Sequence, residues 1–71
     1  MTSTRVKKLL KKYPKSLHET IESIEDGLPW YEELRDELMD FSMHCDIADI
    51  SYVIYMRDFL TYIINEQLED N

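Results

Sequence analysis

Seventy-one residues allow one domain, and a chain of this size buries only about 60% of the surface its unfolded form exposes. One glycine and two prolines are too few for a β-sandwich or barrel, which needs turn residues every 8–12 positions, and 44% hydrophobic content excludes a disordered chain. The net charge of −7 divides sharply: residues 1–15 hold Arg5, Lys7, Lys8, Lys11, Lys12 and Lys15 with no acid, and residues 16–71 hold two bases against fifteen acids.

The first segment, about Thr4 to Tyr13, sets Val6, Leu9, Leu10 and Tyr13 at helical spacing behind Thr4 as N-cap, and Pro14 ends it. Ser16 and Glu19 form a capping-box pattern that opens a second helix with Leu17, Ile21 and Ile24 as its apolar stripe. Gly27 is placed to close it in a left-handed conformation, with Leu28 following. Pro29 then opens a third helix with Glu32 and Glu33 in its first turn, where the helix dipole favours them. Trp30, Leu34, Leu38 and Phe41 repeat along it. Asp46 or Asp49 can cap a fourth, longer helix that runs to about Leu68. The expectation is an all-α fold, a small bundle of three to four helices with a long C-terminal helix, in which a basic arm (residues 1–15) precedes an acidic body (residues 16–71).

The fourth helix is apolar over most of its circumference. At about 100° per residue, Ser51, Asp58, Thr61 and Asn65 share one narrow polar sector. Val53, Leu60, Ile64 and Leu68 form an aliphatic arc, Tyr52, Tyr55, Phe59 and Tyr62 an aromatic one, and Met56 and Ile63 lie between. A surface helix needs an apolar arc of little more than about 100° to cover its own core. The surplus leaves two readings, a central helix buried all round by the other three or, as expected here, an aliphatic arc that faces the core while Tyr52, Tyr55, Phe59 and Tyr62, with Met56 and Ile63, form an interface, first of all with a second copy. Tyrosine pairs a wet hydroxyl with an apolar ring and is enriched at such contacts.

Chemistry is poorly supported. Asp40, His44, Cys45, Asp46 and Asp49 gather metal-ligand types, but neighbours on a helix diverge by about 100° and no paired ligand motif is present. No phosphate loop, nucleophile elbow or nucleophile–base pairing is found, so the reading is a non-enzyme without metal or cofactor. The single cysteine fits a reducing cytosol, and no apolar run approaches the about 20 residues that span a bilayer.

The charged surfaces carry the partner expectations. Glu33, Asp36, Glu37 and Asp40 fall at i, i+3, i+4 and i+7, a row of carboxylates along one rigid helix that can imitate a phosphate backbone or meet a basic protein surface. The arm with Arg5, Lys7, Lys8, Lys11, Lys12 and Lys15 could contact phosphates directly, or pack on the chain's own acidic surface. The first reading is therefore a small cytoplasmic, homodimeric interaction protein that modulates a basic partner by occlusion. The second is a nucleic-acid-associated regulator acting through the arm.

Overall fold

A computed structural model describes residues 3–44, apart from the His44 side chain, and 49–68. Helices form at all four expected places: α1 (Thr4–Lys12), α2 (His18–Glu25), α3 (Trp30–His44) and α4 (Ile50–Tyr62). A 3₁₀ turn, Lys15–Leu17, precedes α2, and a π-helical turn, Ile63–Gln67, extends α4. No strand occurs among the described residues, so the fold is the all-α bundle that the periodicity implies.

The helix ends follow local chemistry, with two differences from expectation. Ser3, one residue before Thr4, is the N-cap of α1; its Oγ accepts from the Val6 N–H at 3.1 Å. The Ser16–Glu19 capping box does not form. Pro14 accepts from the Leu17 N–H at 3.0 Å, and the resulting tight turn takes Ser16 inside a helical segment, where its side chain no longer faces free donors. At the end of α2, Leu28 N–H bonds to Ser23 O and Gly27 N–H to Ile24 O, a Schellman closure that needs the positive φ of Gly27, +129°. Asp49 caps α4 through the Tyr52 N–H at 3.2 Å. Asp46 lies outside the described residues.

The core sits where α1, α2 and the C-terminal half of α4 meet. Leu9, Tyr13, Leu17, Ile21, Ile24, Phe59, Tyr62 and Ile63 are buried, and Trp30 and Leu34 of α3 pack against them. The rest of α3 runs beside the first half of α4, where the Phe41 and Tyr52 rings stack at 5.5 Å. Leu38 and Phe41, which continue the apolar repeat of Trp30 and Leu34 along α3, are exposed, because only the first turns of that helix reach the cluster.

The largest difference is the rotation of α4 about its axis. Its aromatic arc faces inward and its aliphatic arc outward, the reverse of the expectation. Phe59 and Tyr62 are fully buried and Ile63 nearly so; Tyr52, Tyr55 and Met56 are half-buried. These six residues are therefore interior or core-edge positions, not an outward-facing interface. Ile50, Val53, Ile54, Leu60, Ile64 and Leu68 are exposed instead.

Candidate interaction surfaces

The inward aromatic arc is possible because each phenol finds a partner on another helix or turn. Tyr62 Oη donates to Glu25 Oε2 at 2.7 Å, Tyr52 Oη to the Glu37 carbonyl at 2.8 Å, and Tyr13 Oη to Glu66 Oε2 at 3.0 Å. The hydroxyls of Tyr55 and Thr20 share a bond of 2.7 Å. Among the described residues no buried side-chain polar atom lacks a partner, so the cost of placing phenols inside is met within the chain. Edge-to-face contact of Tyr13 with Tyr62, centroids 5.5 Å apart, adds to the packing. The signal for this arrangement lies in Thr20, Glu25, Glu37 and Glu66, spread over 47 positions, and sequence spacing alone does not connect them.

Two members of the basic arm are tied to the acidic body. Arg5 Nε meets Glu25 Oε1 at 2.7 Å and Lys12 Nζ meets Glu66 Oε2 at 2.8 Å. Burial alone would raise the Glu25 carboxyl; hydrogen bonds from Arg5 and Tyr62, with the Arg5 charge, outweigh it and hold the pKa below the ordinary carboxylate value. The hydrogen bond from Lys12 does the same for Glu66. The π-helical turn, closed by Leu68 N–H to Ile63 O at 3.0 Å, presents the adjacent Glu66 and Gln67 to this edge together, Gln67 Nε2 reaching Glu25 at 3.1 Å. Lys7, Lys8, Lys11 and Lys15 stay exposed.

The expected acidic row on α3 is divided by depth. Asp36 and Asp40 are exposed, whereas Glu33 and Glu37 are half-buried. Burial raises the Glu37 pKa; the Tyr52 hydroxyl, 3.3 Å from Glu37 Oε2, opposes this, and the charges of Glu33, Asp40 and Asp36 add to the rise. Glu37 is thus a poor site for a partner and a source of internal repulsion. Glu37→Gln should stabilise the fold at neutral pH by about 0.5 kcal/mol, since like charges at this spacing cost a few tenths each. The sign follows from the raised pKa. The penalty holds above the folded value and is relieved as pH falls through it, so urea midpoints of the two proteins should converge in acid.

Beside Asp36 and Asp40 on the outer side of α3 stand Met39 and Met43, 58% and 74% exposed. Two open clefts flank α1. One is lined by Glu19, Glu22, Glu25 and Asp26 together with Ser3 and Ser23, and the other by Thr4, Arg5, Lys8, Lys12 and Glu66 around Leu9. Among the described residues no three His, Cys, Asp or Glu side chains are placed to share a metal ion, and no helix is long and apolar enough to cross a membrane. Of the metal-ligand types noted in the sequence, the His44 side chain, Cys45 and Asp46 lie outside the described residues. Compared with known families, curated proteins and solved structures, the chain matches none of them.

Proposed function

We propose that the protein is a non-enzymatic, homodimeric interaction module that binds a basic macromolecular partner through the outer face of α3 and acts by covering that partner's surface. The observation that carries this reading is the exposed strip of Asp36, Met39, Asp40 and Met43, with Glu33 beside it. Methionine is unbranched and polarizable, adapts to irregular apolar surfaces, and is over-used where one surface meets varied partners. Carboxylates on the same rigid helix steer a surface of opposite charge and fix its register. A strip of this kind fits a groove with basic rims and an apolar floor, of the sort that holds a nucleic-acid strand.

Direct contact with nucleic acid through the arm is the weaker reading, because Arg5 and Lys12 are neutralised within the chain and the body around them is anionic. The two readings part in one assay. The protein should displace duplex DNA from a basic DNA-binding protein of the same cell without shifting the duplex itself. Asp36→Asn with Asp40→Asn should weaken that displacement about tenfold, equivalent to about 1.4 kcal/mol. A duplex shift by the protein alone, abolished by Lys7, Lys8 and Lys11→Ala, would favour the arm instead.

A further inference from the structure

The outer arc of α4 is apolar and almost uncharged, in a body that otherwise carries a dense acidic surface. Ile50, Val53, Ile54, Leu60 and Ile64 lie along it and are all exposed. Between residues 50 and 65 the only charged side chains are Arg57 and Asp58, paired with each other at 3.1 Å.

We propose that this arc is covered by a second copy of the chain, through an antiparallel, twofold-symmetric contact of α4 with α4 whose axis passes beside Arg57. The proposal rests on the homodimer reading above and supplies its face and register. Charge argues for the occupant. Two copies, each of net charge −7, repel one another wherever their carboxylates approach. The α4 arc is a face on which two copies can meet without bringing rows of acids together. A partner with basic rims, by contrast, finds no unpaired carboxylate there.

The pattern argues for the register. Counting outward from Arg57, Ile54 and Leu60 stand three positions away on either side, Val53 and Thr61 four, and Ile50 and Ile64 seven. The arc is therefore nearly self-complementary when one helix is reversed. Antiparallel pairing sets Ile50 of each copy against Ile64 of the other, and Ile54 against Leu60. It also sends the two Arg57–Asp58 pairs past each other in opposite directions. Helix dipoles oppose in this arrangement and would align in a parallel one. The strip from Ile50 to Ile64 is about 20 Å long and about 10 Å wide, smaller than the roughly 800 Å² per partner of a standard interface. The dimer is accordingly a weak one, formed at high micromolar concentration.

Sedimentation equilibrium across a concentration series tests the face, and engineered disulfides test the register. The mass should rise from the 8.6 kDa of one chain to twice that value, and Val53→Glu with Leu60→Glu should hold it at one chain. These positions are exposed; should the helical circular dichroism fall, Val53→Ser with Leu60→Ser is read in its place. On a Cys45→Ser background, Ile50→Cys with Ile64→Cys should cross-link two chains on oxidation, whereas Ile50→Cys alone should not. Within one chain those two positions are about 20 Å apart, too far to bridge. A protein that stays at one chain mass throughout overturns the dimer itself. A dimer indifferent to Val53 and Leu60 overturns the face and leaves the dimer reading standing. Cross-linking by Ile50→Cys alone, or none by the pair, overturns the antiparallel register. The α3 reading is judged separately, by the Asp36 and Asp40 variants in the displacement assay.

Discussion

Phe59→Ala should unfold most of the protein at room temperature, whereas Leu60→Ala, one residue further on, should leave it folded. Phe59 is fully buried among residues of α1, α2 and α4. Truncating a buried phenylalanine removes transfer free energy and leaves a cavity, together about 3–5 kcal/mol. A single core in a domain this small supplies roughly 3–5 kcal/mol of net stability, so the substitution consumes nearly all of it. Leu60 is 42% exposed, and its truncation removes side chain that water already reaches; a change within about 0.5 kcal/mol is expected. Urea denaturation followed by circular dichroism at low protein concentration measures both, and low concentration matters because Leu60 belongs to the proposed dimer face. Equal losses at the two positions would mean that α4 is buried all round. A larger loss at Leu60 would restore the orientation expected from the sequence.

Glu25→Ala should cost about 3 kcal/mol, and its effect should depend on pH in a defined direction. Glu25 accepts from Arg5, from the buried Tyr62 hydroxyl and from Gln67, and so links α1, α2, α4 and the π-helical turn. Hydrogen bonds to a charged group are worth about 1.5–3 kcal/mol each and are not additive. Glu25→Gln keeps an acceptor for Tyr62 and should cost about half as much, whereas Arg5→Ala should cost about 1 kcal/mol because Arg5 is half exposed. The Glu25 and Glu66 pKa values are depressed in the fold. Their contribution is complete above the unfolded carboxyl value of about 4.3 and is lost as pH falls through the folded values. Below that window wild type and Glu25→Gln should have the same urea midpoint. A difference that persists in strong acid would show that the carboxylate charge is not what holds the arm.

At the alkaline end the phenols give the opposite slope. Burial and the neighbouring Glu37 push Tyr52 up to about 12, and burial together with Glu25 raises Tyr62 further. A raised phenol stabilises the fold below the unfolded value of about 10, and that contribution declines as pH rises from there through the folded values. Both pH limits of the fold thus converge on one set of contacts, in which Glu25, Glu37 and Glu66 meet the tyrosines of α1 and α4.

The amino-acid sequence by itself determined that this chain is helical, roughly where its four helices lie, and that α4 carries more apolar surface than one core-facing stripe needs. Those features are local. Pro14, Gly27, Pro29 and Asp49 act through φ, a missing N–H or a bond three residues away, and the 3.6-residue period is visible within one segment. Even so, Ser16 and Glu19 show that a local motif yields when a neighbouring turn, here Pro14 to Leu17, satisfies the backbone first.

The tertiary structure alone decided which half of α4 faces inward. Aliphatic and aromatic arcs are both apolar, so hydrophobic burial scarcely distinguishes them. What does is the set of hydrogen-bond partners on the other segments: Glu25 for Tyr62, Glu37 for Tyr52, Thr20 for Tyr55. A phenol is costly to bury without such a partner and is a stronger anchor than leucine with one. Tertiary packing also decided the fate of the charged segments, drawing Arg5 and Lys12 onto Glu25 and Glu66 and leaving Asp36 and Asp40 outside. The apolar face left exposed is therefore the aliphatic one, because the tyrosines had polar ends that the rest of the chain could satisfy.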